Sequence, residues 1–210
     1  MKLRITAAIA AVLIIFAFSS CQQVFTASAY FWVVNDISTM SPDQKVSYAE
    51  DLLSSGSSDE LGVAYAAIAE LLPADYTTAT DLTAAEIELV LLAADLAVGS
   101  SKIGETLTSA IDSLATGEGV TPALLDNIVT TNLESAVTLI EAAIDNGAEL
   151  TSEQYTNAAA AQLLIVVGDA GGIDNLGTVD PLDPDLVQAQ AWALEGGVDI
   201  EALLAGGLPA

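Results

Sequence analysis

All 29 aspartate and glutamate residues lie beyond position 20, and only two of the four cations, Lys45 and Lys102, lie there with them. From residue 21 onward the net charge is therefore −27, with no arginine and no histidine. Such a chain cannot be held together mainly by ion pairs, because self-repulsion opposes every compact state. It folds only if buried apolar surface outweighs that repulsion while the carboxylates stay in water. The material for a core is present: 52% of the residues are hydrophobic and the mean hydropathy is +0.54, whereas disordered acidic chains are poor in apolar residues. The same balance excludes nucleic acid as a partner, since phosphate binding needs clustered cations. It also sets the body against anionic lipid headgroups.

The first residues, "MKLRITAAIAAVLIIFAFSSC", place Lys2 and Arg4 before an apolar run from Ala7 to Phe18, followed by two serines and the chain's single cysteine. This is the layout of a secretory signal over residues 1–20. The run is shorter than the roughly 20 residues that a spanning helix needs.

Phe18-Ser19-Ser20-Cys21 resembles the lipobox of bacterial lipoproteins, in which a small residue precedes an invariant cysteine. The family prefers Leu where Phe18 stands. The resemblance implies that the Cys21 thiol carries a diacylglycerol and that the chain is cut just before it. Two acyl chains, at about 0.8 kcal/mol per buried methylene, give stable anchoring where one does not. Gln22 is not the Asp that the family associates with inner-membrane retention, so the outer membrane is preferred over the inner. Cys21, Gln22, Gln23, Val24, Phe25 and Thr26, with the run of short helices described next, resemble a group of helical spirochaete lipoproteins of unassigned function. That resemblance implies an exported helical domain in the cell envelope and supplies no catalytic residue.

Beyond a lipidated segment (21–41), residues 42–210 read as helix after helix. Val46, Ala49 and Leu53 share one face of a first helix that closes at "SSGSS". Leu61, Ala64, Tyr65, Ile68 and Leu72 recur with helical spacing up to Pro73. Thr83 and Glu86 have capping-box spacing and open a helix carrying Ile87, Val90, Leu91 and Ala94, with Gly99 at its end. Ile103, Leu107, Ala110, Ile111 and Leu114 form another stripe. Thr121-Pro122 starts a pattern running to Gly147, as one helix or as two jointed at Thr130–Asn132. Thr151 and Gln154 repeat the capping box ahead of Tyr155, Ala158, Ala159, Gln162, Leu163 and Val166. A Gly/Asp/Pro-rich loop covers about 168–184, and Asp183-Pro184 begins a short helix with Val187, Ala191 and Leu194. The reading is an all-α fold of stacked antiparallel helix pairs. Leu61-Gly62-x-x-Tyr65 matches part of the tetratricopeptide pattern, although Ser58 stands where that pattern has Trp.

Chemistry has few candidates. Without histidine, arginine or a free thiol in the mature chain, the usual general base, anion clamp and nucleophile are missing. Carboxylate pairs of the glycosidase kind are too easily drawn from 29 acids to mark a site. The chain reads as no enzyme, with no cofactor. Asp180, Asp183 and Asp185 supply hard oxygen ligands suited to calcium, though without the EF-hand order; a solvated turn with Asp183 capping a helix is the simpler reading. The aromatic run "AYFWVV" (29–34) suits packing against the array or lying at a membrane interface. Together these features describe a lipid-anchored envelope protein that binds or scaffolds another envelope protein. The alternative is a carrier with a helical pocket for a small apolar ligand.

Overall fold

The computed structural model describes residues 37–106, 127–171, 175 and 178–198. Cys21, the aromatic run at 29–34, the stripe from Leu107 to Leu114 and the Thr121-Pro122 start lie outside these residues. After a 3-10 turn at Ile37–Thr39 come α1 (Pro42–Ser55), α2 (Ser58–Ala69), α3 (Ala84–Ser100), α4 (Thr130–Asp145), α5 (Ser152–Asp169) and α6 (Pro184–Glu195). Among the described residues there is no strand, and the five consecutive apolar residues from Leu163 to Val167 are an internal part of α5.

Local chemistry sets the helix starts. The boxes Thr83/Glu86 and Thr151/Gln154 both form, each cap hydroxyl accepting from the backbone three residues on while the later side chain accepts from the cap N–H. Two more, Ser41/Gln44 and Ser57/Glu60, open α1 and α2. Reciprocal bonding of this kind satisfies donors that a helix start otherwise leaves bare. α4 has no side-chain cap. Its start is held from outside: Val129 N–H donates to the Ser101 carbonyl at 2.9 Å, and Asn132 Nδ2 donates to Ser100 Oγ at 2.8 Å. α4 therefore begins at Thr130, the first residue of the suggested joint, and the part of the pattern before residue 127 lies outside the described residues.

Contacts between opposite helix ends show that neighbours run antiparallel. Lys45, near the start of α1, meets Glu70 at the end of α2. Leu61, near the start of α2, lies under Gly99 near the end of α3. Asn146, just past α4, donates to the Ala79 carbonyl and accepts from Leu82 N–H ahead of α3. Gly196, just past α6, abuts Thr156 and Ser152 at the start of α5. Among the described helices each packs on the one that follows it, and α3 also touches α1 and α5.

The core follows from this order. α3, which touches four other helices, buries Val90, Leu92, Ala93, Ala94, Leu96, Ala97 and Ser100. Ile68, Leu133 and Leu139 are the other large, fully buried aliphatic side chains. α5 buries the consecutive alanines 158–161, whose small side chains let neighbouring helices approach closely. Gly99 does not end α3, which runs on to Ser100. A Cβ there would stand 2.7 Å from Leu61 Cδ1, so the glycine serves the α2–α3 contact. α2 stops at Ala69, so Leu72 lies beyond it.

Candidate binding surface

Both lysines of the acidic body are committed to carboxylates at the two ends of α2. Lys45 is 7% exposed, with its stem in the core and Nζ 3.1 Å from Glu70 Oε2. Lys102, which takes the left-handed conformation (φ +65) just after α3, places Nζ 3.4 Å from Asp59 Oδ1. No Lys or Arg follows Lys102 in the sequence. The α4–α6 half therefore presents carboxylates with no cation of its own among them.

Asp95 is the one carboxyl with a strongly altered acidity among the described residues. Half-buried on α3, it is pushed up from 3.8 to about 6, first by burial and next by the charge of Glu153, while a hydrogen bond from Gln154 works the other way. That bond, from Gln154 Nε2, is long at 3.5 Å. The same Gln154 closes the capping box of α5 through its Oε1, so Asp95 sits where α3 meets the start of α5. By contrast, Glu60 and Glu86 are held below the usual range by hydrogen bonds from Ser57 and Thr83.

The three aspartates suggested for calcium are divided between a turn and a helix start. Asp180 Oδ1 accepts from Leu182 N–H at 2.9 Å. Asp183 Oδ1 accepts from Asp185 N–H at 3.0 Å and from Leu186 N–H at 3.4 Å, capping α6, and Asp185 lies in the first turn. Among the described residues no group of three or more His, Cys, Asp or Glu side chains is placed to hold a metal ion. No described helix is long and apolar enough to cross a membrane.

The most unusual surface lies on α6. This helix packs along α5 through Ala189, Trp192 and Ala193, and Gln188 Nε2 donates to Glu141 Oε1 on α4 at 2.7 Å. Sequence periodicity picks out Val187, Ala191 and Leu194 instead, and the structure turns all three outward. Val187 is 46% and Leu194 62% exposed. Pro184, also exposed, extends the line at helical spacing. Just ahead of the helix Leu182 is 81% exposed. At both ends the stripe meets carboxylates, Asp180 and Asp183 before it and Glu195 after it, while Asp185 falls on the line of Ala189 and Trp192. A surface helix ordinarily turns polar residues to water and apolar ones to the core; α6 has apolar residues on both faces. Compared with protein-family models, with curated proteins and with solved structures, the chain matches none of them.

Proposed function

We propose that this chain is a lipid-anchored cell-envelope protein that binds or scaffolds another envelope protein, held by acyl chains on Cys21, in the outer membrane rather than the inner. The observation that carries the reading is the outward apolar stripe of Val187, Ala191 and Leu194 on a helix whose other face is already packed. Exposed apolar surface rimmed by polar residues is a common mark of an interaction site. Sequential packing of α1 to α6 supports an array of the tetratricopeptide kind, whose stacked helices offer extended faces to peptides and partner helices.

Crosslinking in intact cells, followed by mass spectrometry of the solubilised envelope, tests this reading. One stoichiometric envelope protein is the expected result, lost when Cys21→Ser releases the body from the membrane. Recovery of the chain without a protein partner in repeated experiments refutes the scaffold.

A further inference from the structure

The proposed binding role leaves the partner's chemistry open, and the outer face of α6 constrains it. Pro184, Val187, Ala191 and Leu194 follow one another at helical spacing on the side opposite Ala189 and Ala193. At about 1.5 Å per residue the line is about 15 Å long, matching roughly three turns of a facing helix. Such a length suits a seam in which the partner supplies apolar residues at i, i+3, i+4 and i+7.

Charge then discriminates among occupants. A second copy would bring the same carboxylates, Asp180, Asp183 and Glu195, against their own kind, on bodies that each carry −27. The chain's own residues 199–210, "DIEALLAGGLPA", hold Asp199 and Glu201 and no cation, so they would add to the repulsion. Anionic headgroups are disfavoured for the same reason. A helix with lysine or arginine beside an apolar seam meets the stripe with its seam and the flanking carboxylates with its cations. Such complementarity speeds encounter and fixes orientation.

We infer that the outer face of α6 is the docking site for a basic amphipathic helix of a partner protein, with Val187 and Leu194 as its apolar anchors and Asp180, Asp183 and Glu195 as its electrostatic rim. This inference rests on the binding reading above and assigns it a place and a partner class.

The test uses the full-length chain in nanodiscs of zwitterionic phosphatidylcholine, with empty nanodiscs as the blank. The probe is a labelled Leu/Lys peptide of about five turns, its leucines at i, i+3, i+4 and i+7, compared with a scrambled peptide of identical composition. Saturable one-to-one binding by anisotropy is expected for the patterned peptide, weakening as salt rises. Burial of a leucine stabilises enough that Leu194→Gln should weaken binding by about tenfold or more. Val63→Gln, at an exposed valine of α2, should leave it unchanged. Equal binding of the scrambled peptide, or no effect of Leu194→Gln, overturns the inference and leaves diffuse charge attraction. A dimer that Leu194→Gln dissociates assigns the face to a second copy. Binding that appears only in Leu203→Gln/Leu204→Gln assigns it to the chain's own residues 199–210. If Leu194→Gln still crosslinks to one envelope protein in cells while the peptide fails, the scaffold reading stands and this face is not its site.

Discussion

Replacing Asp95 by asparagine isolates what burial of one carboxylate costs. The side chain keeps its shape and an oxygen to accept from Gln154 Nε2, and it loses the ability to ionise. In the folded chain Asp95 binds its proton up to about pH 6, against 3.8 ordinarily. The folded state thus holds the proton more tightly than the unfolded one, and stability falls as pH rises from 3.8 to 6, levelling off above. At about 1.4 kcal/mol per pH unit, this amounts to at most about 3 kcal/mol at neutral pH. Partial contact with solvent reduces it, so a gain of about 1–3 kcal/mol is expected for Asp95→Asn at pH 7. For a chain of this length that is about 2–12 °C in Tm. Glu60 and Glu86 act in the opposite sense: their acidity is enhanced, so their capping contribution is present above the usual carboxylate range and is lost as pH falls below it. Urea melts followed by circular dichroism from pH 4 to pH 7 provide the assay, with Glu134→Gln, at an exposed position on α4, reporting the general relief of charge repulsion. The gain of Asp95→Asn should exceed that control at pH 7 and vanish near pH 4. A gain that is equal at both pH values, or no larger than the control, would refute the attribution to a buried, titrating Asp95.

Further substitutions probe the helix contacts. Gly196→Ala would place a Cβ 2.5 Å from Thr156 Oγ1, 3.0 Å from Thr156 N and 3.2 Å from the Ser152 carbonyl; a loss of about 1–3 kcal/mol is expected in thermal melts, whereas Gly168→Ala, in a helix with open space around it, should gain up to about 1 kcal/mol. Glu70→Ala leaves the buried Lys45 without its carboxylate and should cost about 1–3 kcal/mol, with Lys45→Met costing less in the same denaturation series because it keeps the packed stem. Gln162 is 3% exposed and its Oε1 has no hydrogen-bond partner, so Gln162→Met should stabilise by about 1 kcal/mol or more in urea melts. Asp183→Ala removes the cap of α6 at a cost of about 1 kcal/mol; if Asp180, Asp183 and Asp185 also hold calcium, millimolar calcium will raise the Tm of the parent chain and not of this variant.

What could be read from the sequence was the chemistry that acts within one turn. Thr83/Glu86 and Thr151/Gln154 show themselves by spacing alone, because a capping box needs only neighbours three residues apart. Ser57/Glu60 has the same spacing, but Ser57 sits in "SSGSS", where a run of turn-forming residues hides the one that caps. The all-α class follows from the repeated stripes. The use of each stripe does not. α6 carries two sets of apolar residues, Ala189/Trp192/Ala193 and Val187/Ala191/Leu194, both at helical spacing, and larger aliphatic side chains favour the second. The structure buries the first because Trp192 and two alanines fit against α5, where Gly196 lies directly on Thr156. Asp95 was unreadable for a related reason: the groups that act on its acidity besides burial, the charge of Glu153 and the amide of Gln154, lie almost sixty residues away along the chain.

The placement of the two lysines gives the molecule an electrical polarity that bears on where it can bind. Lys45 and Lys102 tie the two flanks of α2 to α1 and to the end of α3, so the little positive charge available is spent within the first three helices. From α4 onward cohesion rests on buried apolar side chains, the alanines of α5 together with Leu133, Leu139 and Ile140 of α4 and Trp192 of α6. Close packing of this kind needs no charge, and the carboxylates of that half have no lysine or arginine of their own half to neutralise them. A cationic partner reaching α6 would therefore meet an attraction that no resident lysine weakens, and in docking there it would relieve the self-repulsion opposing the fold. Binding and stability would then be linked, since a ligand that binds the folded chain alone raises its apparent stability.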